Sequence, residues 1–458
     1  METLHGTNDL TEGVLWKKLL GFFFPILFGT LFQQLYNTVD AIIVGKFVGT
    51  QALAAVGGSA ALVINLVVGF FVGLASGAMV TISQYFGARE KERLSMTVHS
   101  AVAFCLIGGA ALSVLGIVSA PWVLRLVRTP EDTMADAVLY LRIYFTGMIP
   151  LLLFNIGSGI LRAVGDSRRP LYYLIVCCVL NIALDILFVL AFKLGVAGVG
   201  LATVIALTCS AALVLYNLCT TSEQYRVEPK KIRLHGAALG RVLYLGIPAG
   251  IQSALFAISN LIIQVPVNEL GSEVVAAWTA TGKFDGVFWS ISNSYGVAIS
   301  AFVAQSFGAG KYDRMKRSVR VCMGMALATA AVLSVTLLLI APYGLRLFSN
   351  DPGVIADALE MLFYFVPYYV LWSFIEVLSN SLRGAGDAVR PMVITLLGVC
   401  GFRVLWILLL VPHWHTIMGI SLCYPASWLV TAIVFVLYYY KGNWLNKSIA
   451  ALHNAERA

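Results

Sequence analysis

Apolar residues recur along the chain in long runs that show no period-2 alternation and are separated by short polar or basic stretches. A hydrocarbon core of about 30 Å takes about 20 such residues per helix. Twelve runs of this kind are found, centred near residues 27, 66, 106, 147, 180, 207, 252, 288, 329, 369, 401 and 428. Lipid offers no partner to an open backbone group, so spanning elements must be helices or a closed barrel, and runs this long select helices. The expected fold class is an all-α polytopic membrane protein.

The twelve runs fall into two sets of six. Leu161 to Pro170 (LRAVGDSRRP) and Leu382 to Pro391 (LRGAGDAVRP) agree at six of ten positions, 221 residues apart. Ser83 to Glu90 (SQYFGARE) and Ala304 to Lys311 (AQSFGAGK) keep the same offset and share Gln, Phe, Gly and Ala. The chain is a duplication, and two pseudo-symmetric six-helix bundles are expected. Six is even, so each half enters and leaves on one side and the repeats are parallel, with a ligand cavity near the midplane. The expected organisation is an N-lobe over 1–218, a linker over 219–240, a C-lobe over 241–441 and a tail over 442–458. Inter-lobe rocking is the expected motion.

Composition fits a bilayer: 59% of residues are hydrophobic and 12% charged, against about 25% charged in an ordinary soluble domain. Alternate loops on one side hold 23 Lys and Arg; the other side holds five, Lys46, Arg125, Arg128, Lys193 and Arg346. By the positive-inside rule both termini and the central loop are cytoplasmic, in a multi-pass protein of the cell membrane. The net charge of +8 therefore reports orientation. A nucleic-acid partner would need that charge gathered on a soluble face, and none is expected. The first run follows Lys17 and Lys18 but is too long for a signal peptide, lacks a small-residue cleavage site and holds Gln33, Gln34 and Asn37; it reads as an uncleaved span. Eight scattered cysteines without CxxC spacing read as core packing.

Within the runs, the halves differ in their ionisable residues. At an offset of 221 to 223, Asp40 faces Ile263, Asn181 faces Phe402, Asp185 faces Trp406 and Asn155 faces Glu376. Scaffold residues should be needed twice, so a set confined to one half points to chemistry. A carboxylate at a helix centre costs about 2.5 to 3.5 kcal/mol even on the lenient insertion scale, and it usually marks a cavity or an ion path. Gln33, Asn37 and Asp40 share one face of span 1, and Asn181 and Asp185 stand one turn apart on span 5. Burial and a neighbouring carboxylate both disfavour the charged form. Asp40 beside Asp185 is therefore expected to exchange a proton near neutral pH. The same oxygens, with those of Asn155, Asn181 and Thr203, would also suit Na⁺, and H⁺ and Na⁺ both stay open as the coupling ion. Pro25, fifteen residues before Asp40, permits a kink and is the candidate gating bend of span 1; Pro248 occupies the matching C-lobe position without a nearby acid.

A second group, Lys283, Asp285, Glu376 and Arg403, is expected to form one buried network lining the C-lobe cavity. Lys283 and Asp285, two apart, should point to different faces of span 8. Phe288, Trp289, Tyr295, Trp278 and Tyr36 are candidates to stack on flat organic cations. Substrate-cavity candidates are thus Gln33, Gln34, Tyr36, Asn37, Asp285, Trp289, Glu376 and Arg403. The sequence has no HExxH, no GxxxxGK[ST] and no nucleophile elbow, so no enzyme, resident metal or cofactor is expected. His413 and His415 are too few for a metal site.

The run PILFGTLFQQLYNTVDAIIVGKFVGTQALAAVG, the twin LRxxGD motifs and NIALDILFV around Asp185 resemble the multidrug and toxic compound extrusion (MATE) family of antiporters over essentially the whole chain. The resemblance implies a secondary active antiporter that exports amphipathic, cationic organic compounds in exchange for H⁺ or Na⁺ by alternating access, with the bilayer and small molecules as partners; a monomer is expected. Within the family the chain is most similar to the branch of the DNA-damage-inducible protein F (DinF-like), which implies an N-lobe cation site at Asp40, Asn181, Asp185 and Thr203, with Asn155 close by. The acidic pair that the other bacterial branch adds in spans 7 and 10 is missing from SALFAISNLII, and span 10 offers Glu376 alone. A flippase for lipid-linked sugars, from the same wider superfamily, should show a strongly cationic central cavity; a membrane-embedded enzyme would need a catalytic set; a channel would need a charge ring or filter.

Overall fold

A computed structural model describes residues 9–457 of the protein, with side chains to residue 450. Fifteen helices are named here. In the N-terminal half they are α1 Leu15–Val48, α2 Thr50–Ala88, α3 Lys91–Leu126, α4 Glu131–Thr146, α5 Met148–Ala163, α6 Arg168–Ala191 and α7 Gly195–Thr220. In the C-terminal half they are α8 Gly236–Glu269, α9 Ser272–Phe284, α10 Gly286–Gly308, α11 Tyr312–Leu347, α12 Pro352–Gly384, α13 Val389–Leu409, α14 Ile417–Lys441 and α15 Trp444–Arg457. Among the described residues eleven helices are long and apolar enough to cross a membrane, and α4 with α5, bent by 50° at Gly147, makes a twelfth when taken as one span. No strand occurs among the described residues.

The eighth span differs from the continuous helix expected. It breaks between α9 and α10 at Asp285, so Lys283 ends α9 on an exposed face while Asp285 is buried at the joint. Its N-terminal counterpart α2 is bent instead at Gly58, where the backbone leaves helical geometry.

The repeated motifs are turn chemistry. In the first, Asp166 N donates to Leu161 O at 2.8 Å and Gly165 N to Arg162 O at 3.0 Å; in the second, Asp387 N donates to Leu382 O and Gly386 N to Arg383 O. This closure of a helix C-terminus needs a left-handed residue, and Gly165 and Gly386 supply it at φ +88° and +94°. Each aspartate then serves the next helix: Asp166 Oδ1 accepts from the backbone of Arg168 and Arg169, and Asp387 Oδ2 accepts from Arg390 and Tyr438.

The chain packs into two compact units whose borders fall inside helices rather than in the linker. The first holds Phe24–Gly250; the second holds Thr11–Phe23 and everything from Ile251 onward. The opening turns of α1 thus belong with the C-terminal half, and the opening turns of α8 with the N-terminal half. In the first unit, Gly246 and Gly250 of α8 lie against Gly77 and Gly73 of α2 so closely that a Cβ on Gly73 would fall 2.5 Å from the Gly250 nitrogen. Small residues four apart on each helix let the backbones touch. In the second unit the equivalent place is aromatic: Phe23 stacks on Tyr295 at 4.2 Å and Phe22 meets Phe302 edge-on at 5.9 Å. Pro25 lies just past the border in α1, and lacking an N–H it leaves the Gly21 carbonyl without its helical donor. The linker docks on α3, where Glu228 N donates to His99 Nε2 at 2.9 Å and His235 N to Ser100 Oγ at 3.0 Å.

Candidate functional site

Two helices of the first unit present its intramembrane acids, each beside an irregular turn. Asp40 precedes the π-helical stretch Val44–Val48 of α1, and Asp185 directly precedes Ile186–Ala191 of α6. Such widened turns release carbonyls from the α-helical pattern and recur at functional sites. The two carboxyls lie close enough to interact directly. Asp185 is 0% and Asn181 1% exposed. Asp40 Oδ1, both Asp185 oxygens and both Asn181 amide atoms are buried without a hydrogen-bond partner in the protein. An unsatisfied buried polar group costs about 1–3 kcal/mol, so five of them at one place is a large standing penalty. A proton shared between the acids, or a hard cation ligated by their oxygens, would relieve it.

The other residues named from sequence are placed as follows. Asn155 Nδ2 donates to Leu151 O at 2.9 Å and Thr203 Oγ1 to Val199 O at 3.0 Å, each within its own helix, and neither bonds to Asp40 or Asp185. Gln33, Gln34 and Asn37 are exposed, and Tyr36 is half-buried near Asp40. Sequence reasoning missed Tyr140 and Tyr144 of α4, whose rings are 6.2 Å apart; Tyr140 lies near both carboxyls. Their spacing of four residues was the available signal.

The second unit contains a cavity of about 510 Å³. Asp285 and Arg403 line it together with Trp289, Trp372, Tyr424 and Trp428. Asp285 Oδ2 accepts from Trp289 Nε1 and from the Tyr369 hydroxyl, both at 3.1 Å. Arg403, 3% exposed, donates from Nε to Ser427 Oγ at 3.1 Å and lies 4.1 Å over the Tyr424 ring. It follows a π-helical stretch, Leu396–Gly401.

The single four-charge network expected here is not what the structure contains. Glu376 lies outside this cavity, half-buried, and accepts from Asn380 Nδ2 at 2.8 Å. Asn380 in turn lies 3.5 Å from Arg383, which donates to Gln252 at 3.0 Å. Lys283 is exposed. Among the described residues no ion pair joins any two of Lys283, Asp285, Glu376 and Arg403. The physical reason is rotational: Glu376 on α12 faces the Gly296 turn of α10, whereas Arg403 on α13 faces α14. Of the expected aromatics, Trp278 and Trp289 line the cavity, while Phe288 stacks face to face on Tyr369 at 3.6 Å and Tyr295 bonds to Thr329.

No group of three or more His, Cys, Asp or Glu that could hold a metal occurs among the described residues. His415 instead reaches Glu269 at 3.3 Å.

Comparison with known proteins agrees with this architecture. A sequence model of the family described as MatE matches residues 25–187 and again 248–408, once in each half. The chain is 29% identical over 455 residues to the "Probable multidrug resistance protein YoeA" of Bacillus subtilis (strain 168), covering 97% of this chain and 98% of that one. It is 28% identical to the "Probable multidrug resistance protein YpnP" of the same organism, covering 95% and 97%. Its fold matches that of a MOP superfamily transporter from Pyrococcus furiosus with a TM-score of 0.89 at 22% identity, over 99% of this chain and 100% of that one. The two family matches, and relatives named as multidrug resistance proteins over nearly their whole length, lead to one assignment: the chain belongs to the MATE family and is a multi-pass membrane transporter rather than an enzyme.

Proposed function

We propose that this transporter is a secondary active antiporter of the cell membrane, with cytoplasmic termini, that exports amphipathic organic compounds, cations among them, in exchange for H⁺ or Na⁺. The observation that supports it is the cluster of buried, unpartnered oxygens at Asp40, Asn181 and Asp185, which has no acidic equivalent in the second repeat. The names of relatives such as YoeA, a multidrug resistance protein, fit the same reading. A cation taken up from outside at Asp40 and Asp185 neutralises the pair, α1 bends at Pro25, substrate leaves outward, and the cation is released inside as the lobes rock. Asn155 and Thr203 belong to the cation's surroundings through their oxygens, and Asp285 with the Trp289 wall to the substrate's.

One elementary charge crossing 100 mV supplies about 2.3 kcal/mol and a tenfold ion gradient about 1.4 more, enough to hold a substrate gradient of several hundredfold. The test is efflux of a fluorescent organic cation from proteoliposomes under a pH gradient or a Na⁺ gradient imposed separately. One gradient alone should drive efflux by the wild type, and Asp40→Asn should abolish it. An Asp40→Asn protein that folds normally and still runs at the wild-type rate refutes the assignment.

A further inference from the structure

The linker before α8 and the segment before α1 hold equivalent places in the two repeats, and each is clasped by side chains of its own unit. Before α1 the clasp is made by permanent cations: Lys311 Nζ donates to the Thr11 hydroxyl at 3.1 Å, and Arg314 donates to the Glu12 and Gly13 carbonyls at 2.8 and 3.0 Å. Before α8 it is made by two histidines, and their partners fix the form of each ring. His99 Nδ1 lies 2.7 Å from the Ser95 carbonyl, which can only accept, so Nδ1 carries the hydrogen; Nε2 receives the Glu228 N–H at 2.9 Å, so it carries none. His235 Nε2 receives the Arg233 Nε–H at 3.0 Å, which leaves the ring hydrogen on Nδ1, facing Ser100 Oγ at 3.0 Å. The Ser100 oxygen also accepts from His235 N. Both imidazoles are thus neutral in the docked linker, and a proton added at either Nε2 sets donor against donor. His99 is 1% exposed, so water does not take the linker's place there.

We propose that the linker is a pH-operated latch, docked on α3 while His99 and His235 are neutral and released when they are protonated. An imidazole free in water takes up its proton near pH 6.5. Docking is therefore complete above that pH and is lost as the pH falls below it. Among the described residues, the carboxylates around the dock are already engaged or stand in water. Glu228, close to His99, is bonded to Lys231 at 2.8 Å; Glu90, between α2 and α3, pairs with Arg93 at 3.4 Å; Asp166, before α6, pairs with Arg169 at 3.3 Å; Glu92 and Glu223 are exposed. The other charged groups are cations: Arg226 and Arg233 on the linker, Arg162 at the end of α5 and Arg241 on α8. Tyrosine ionises near pH 10, so Tyr85 and Tyr225 take no part. Release frees the first turn of α8, which follows His235 directly, and leaves α8 held to α2 by its glycine contact and by the bond from Arg241 Nη2 to Gln84 Oε1 at 2.7 Å. The latch does not depend on which ion drives transport. Where protons are that ion and arrive at this face, their accumulation would open it, and this consequence alone rests on the antiport reading.

Amide hydrogen exchange reads the two backbone bonds of the dock directly. The purified full-length protein in nanodiscs is labelled at pH 7.5 and at pH 5.5, with labelling times scaled to the intrinsic exchange rate at each pH. Peptides covering 226–236 are compared with peptides covering 11–13. The linker should lose about tenfold or more of its protection at pH 5.5, the factor for one imidazole that must stay neutral. The segment clasped by Lys311 and Arg314 should stay within about twofold. His99→Gln combined with His235→Gln puts an amide oxygen where each ring acceptor stood and should hold linker protection within about twofold between the two pH values. Wild-type linker protection that is the same at both pH values, a loss shared equally by 11–13, or a full pH response surviving in the double variant overturns the proposal. Should the double variant fail to fold, His99→Gln alone decides: a diminished pH response supports the latch and an undiminished one overturns it. The measurement uses no ion gradient, so a linker that ignores pH rejects this inference alone, and a working latch without ion-driven efflux rejects the antiport reading alone.

Discussion

At the Asp40–Asp185 cluster of the first unit the buried groups left without partners are mainly acceptors: Asp40 Oδ1, both oxygens of Asp185 and the Asn181 carbonyl. In the residues that line the cavity of the second they are donors, Arg403 Nη2 and Trp428 Nε1, beside a carboxylate already bonded twice through one oxygen. The two repeats descend from one pattern of six spans, so this inversion is a difference in chemistry on a common frame. Unanswered acceptors packed between tyrosines suit something as small as a proton or Na⁺. A cavity walled by tryptophans suits a flat organic molecule. Under the proposed antiport, driving ion and cargo would have separate addresses, and coupling between them would pass through movement of the helices.

The contrast can be broken most directly at its acids. Asp185→Asn should lower ion-driven efflux in proteoliposomes by about 100-fold or more, since the substitution keeps the volume and removes the titration. Asp285→Asn should leave the dependence on the driving ion unchanged and act on substrate affinity. If both variants lose coupling alike, the division of labour is gone. The next effect is on stability. Gly77→Leu drives a side chain into the α8 backbone at Gly246, and overpacking of this kind costs about 1–3 kcal/mol or more. The matching change in the second repeat, Ile299→Val, removes one methylene and should cost about 0.5–1.5 kcal/mol; thermal unfolding in detergent checks both. Trp289→Phe removes a hydrogen bond to Asp285 and should weaken substrate binding about fivefold, with the ion dependence untouched. The smallest effect is expected from Thr203→Val. Its hydroxyl hydrogen is committed to Val199 O, so proton-driven efflux should stay within about twofold, whereas Na⁺ coupling through the hydroxyl oxygen would show a rise in the Na⁺ concentration required.

Much of this was legible in the chain. Long apolar runs leave helices as the one workable solution in lipid, and the repeated LRxxGD string marks a turn that glycine closes most readily, so span number and duplication follow from local rules. The isolation of Asp40 and Asp185 in one repeat was equally visible, because comparing the halves needs no knowledge of neighbours. Which helix faces which was not. Glu376 and Arg403 looked like partners as opposite charges in adjacent spans, yet each is turned toward a different neighbour, Asn380 and Ser427. Tyr140, Trp372 and Trp428 escaped notice for the same reason: an aromatic in an apolar run has no distinguishing spacing until packing shows what stands beside it. The break at Asp285 did leave a trace, because Lys283, Asp285 and their flanking glycines interrupt the eighth run where the helix stops and restarts.

The crossing-over of the helix starts also bears on ancestry. If a gene for six spans once stood alone, its product would have had to lend its opening turns to a sister copy and borrow hers in return, an intertwined pair before fusion made it one polypeptide. Severing the present chain in the linker should therefore yield two fragments that misfold apart and assemble when made together.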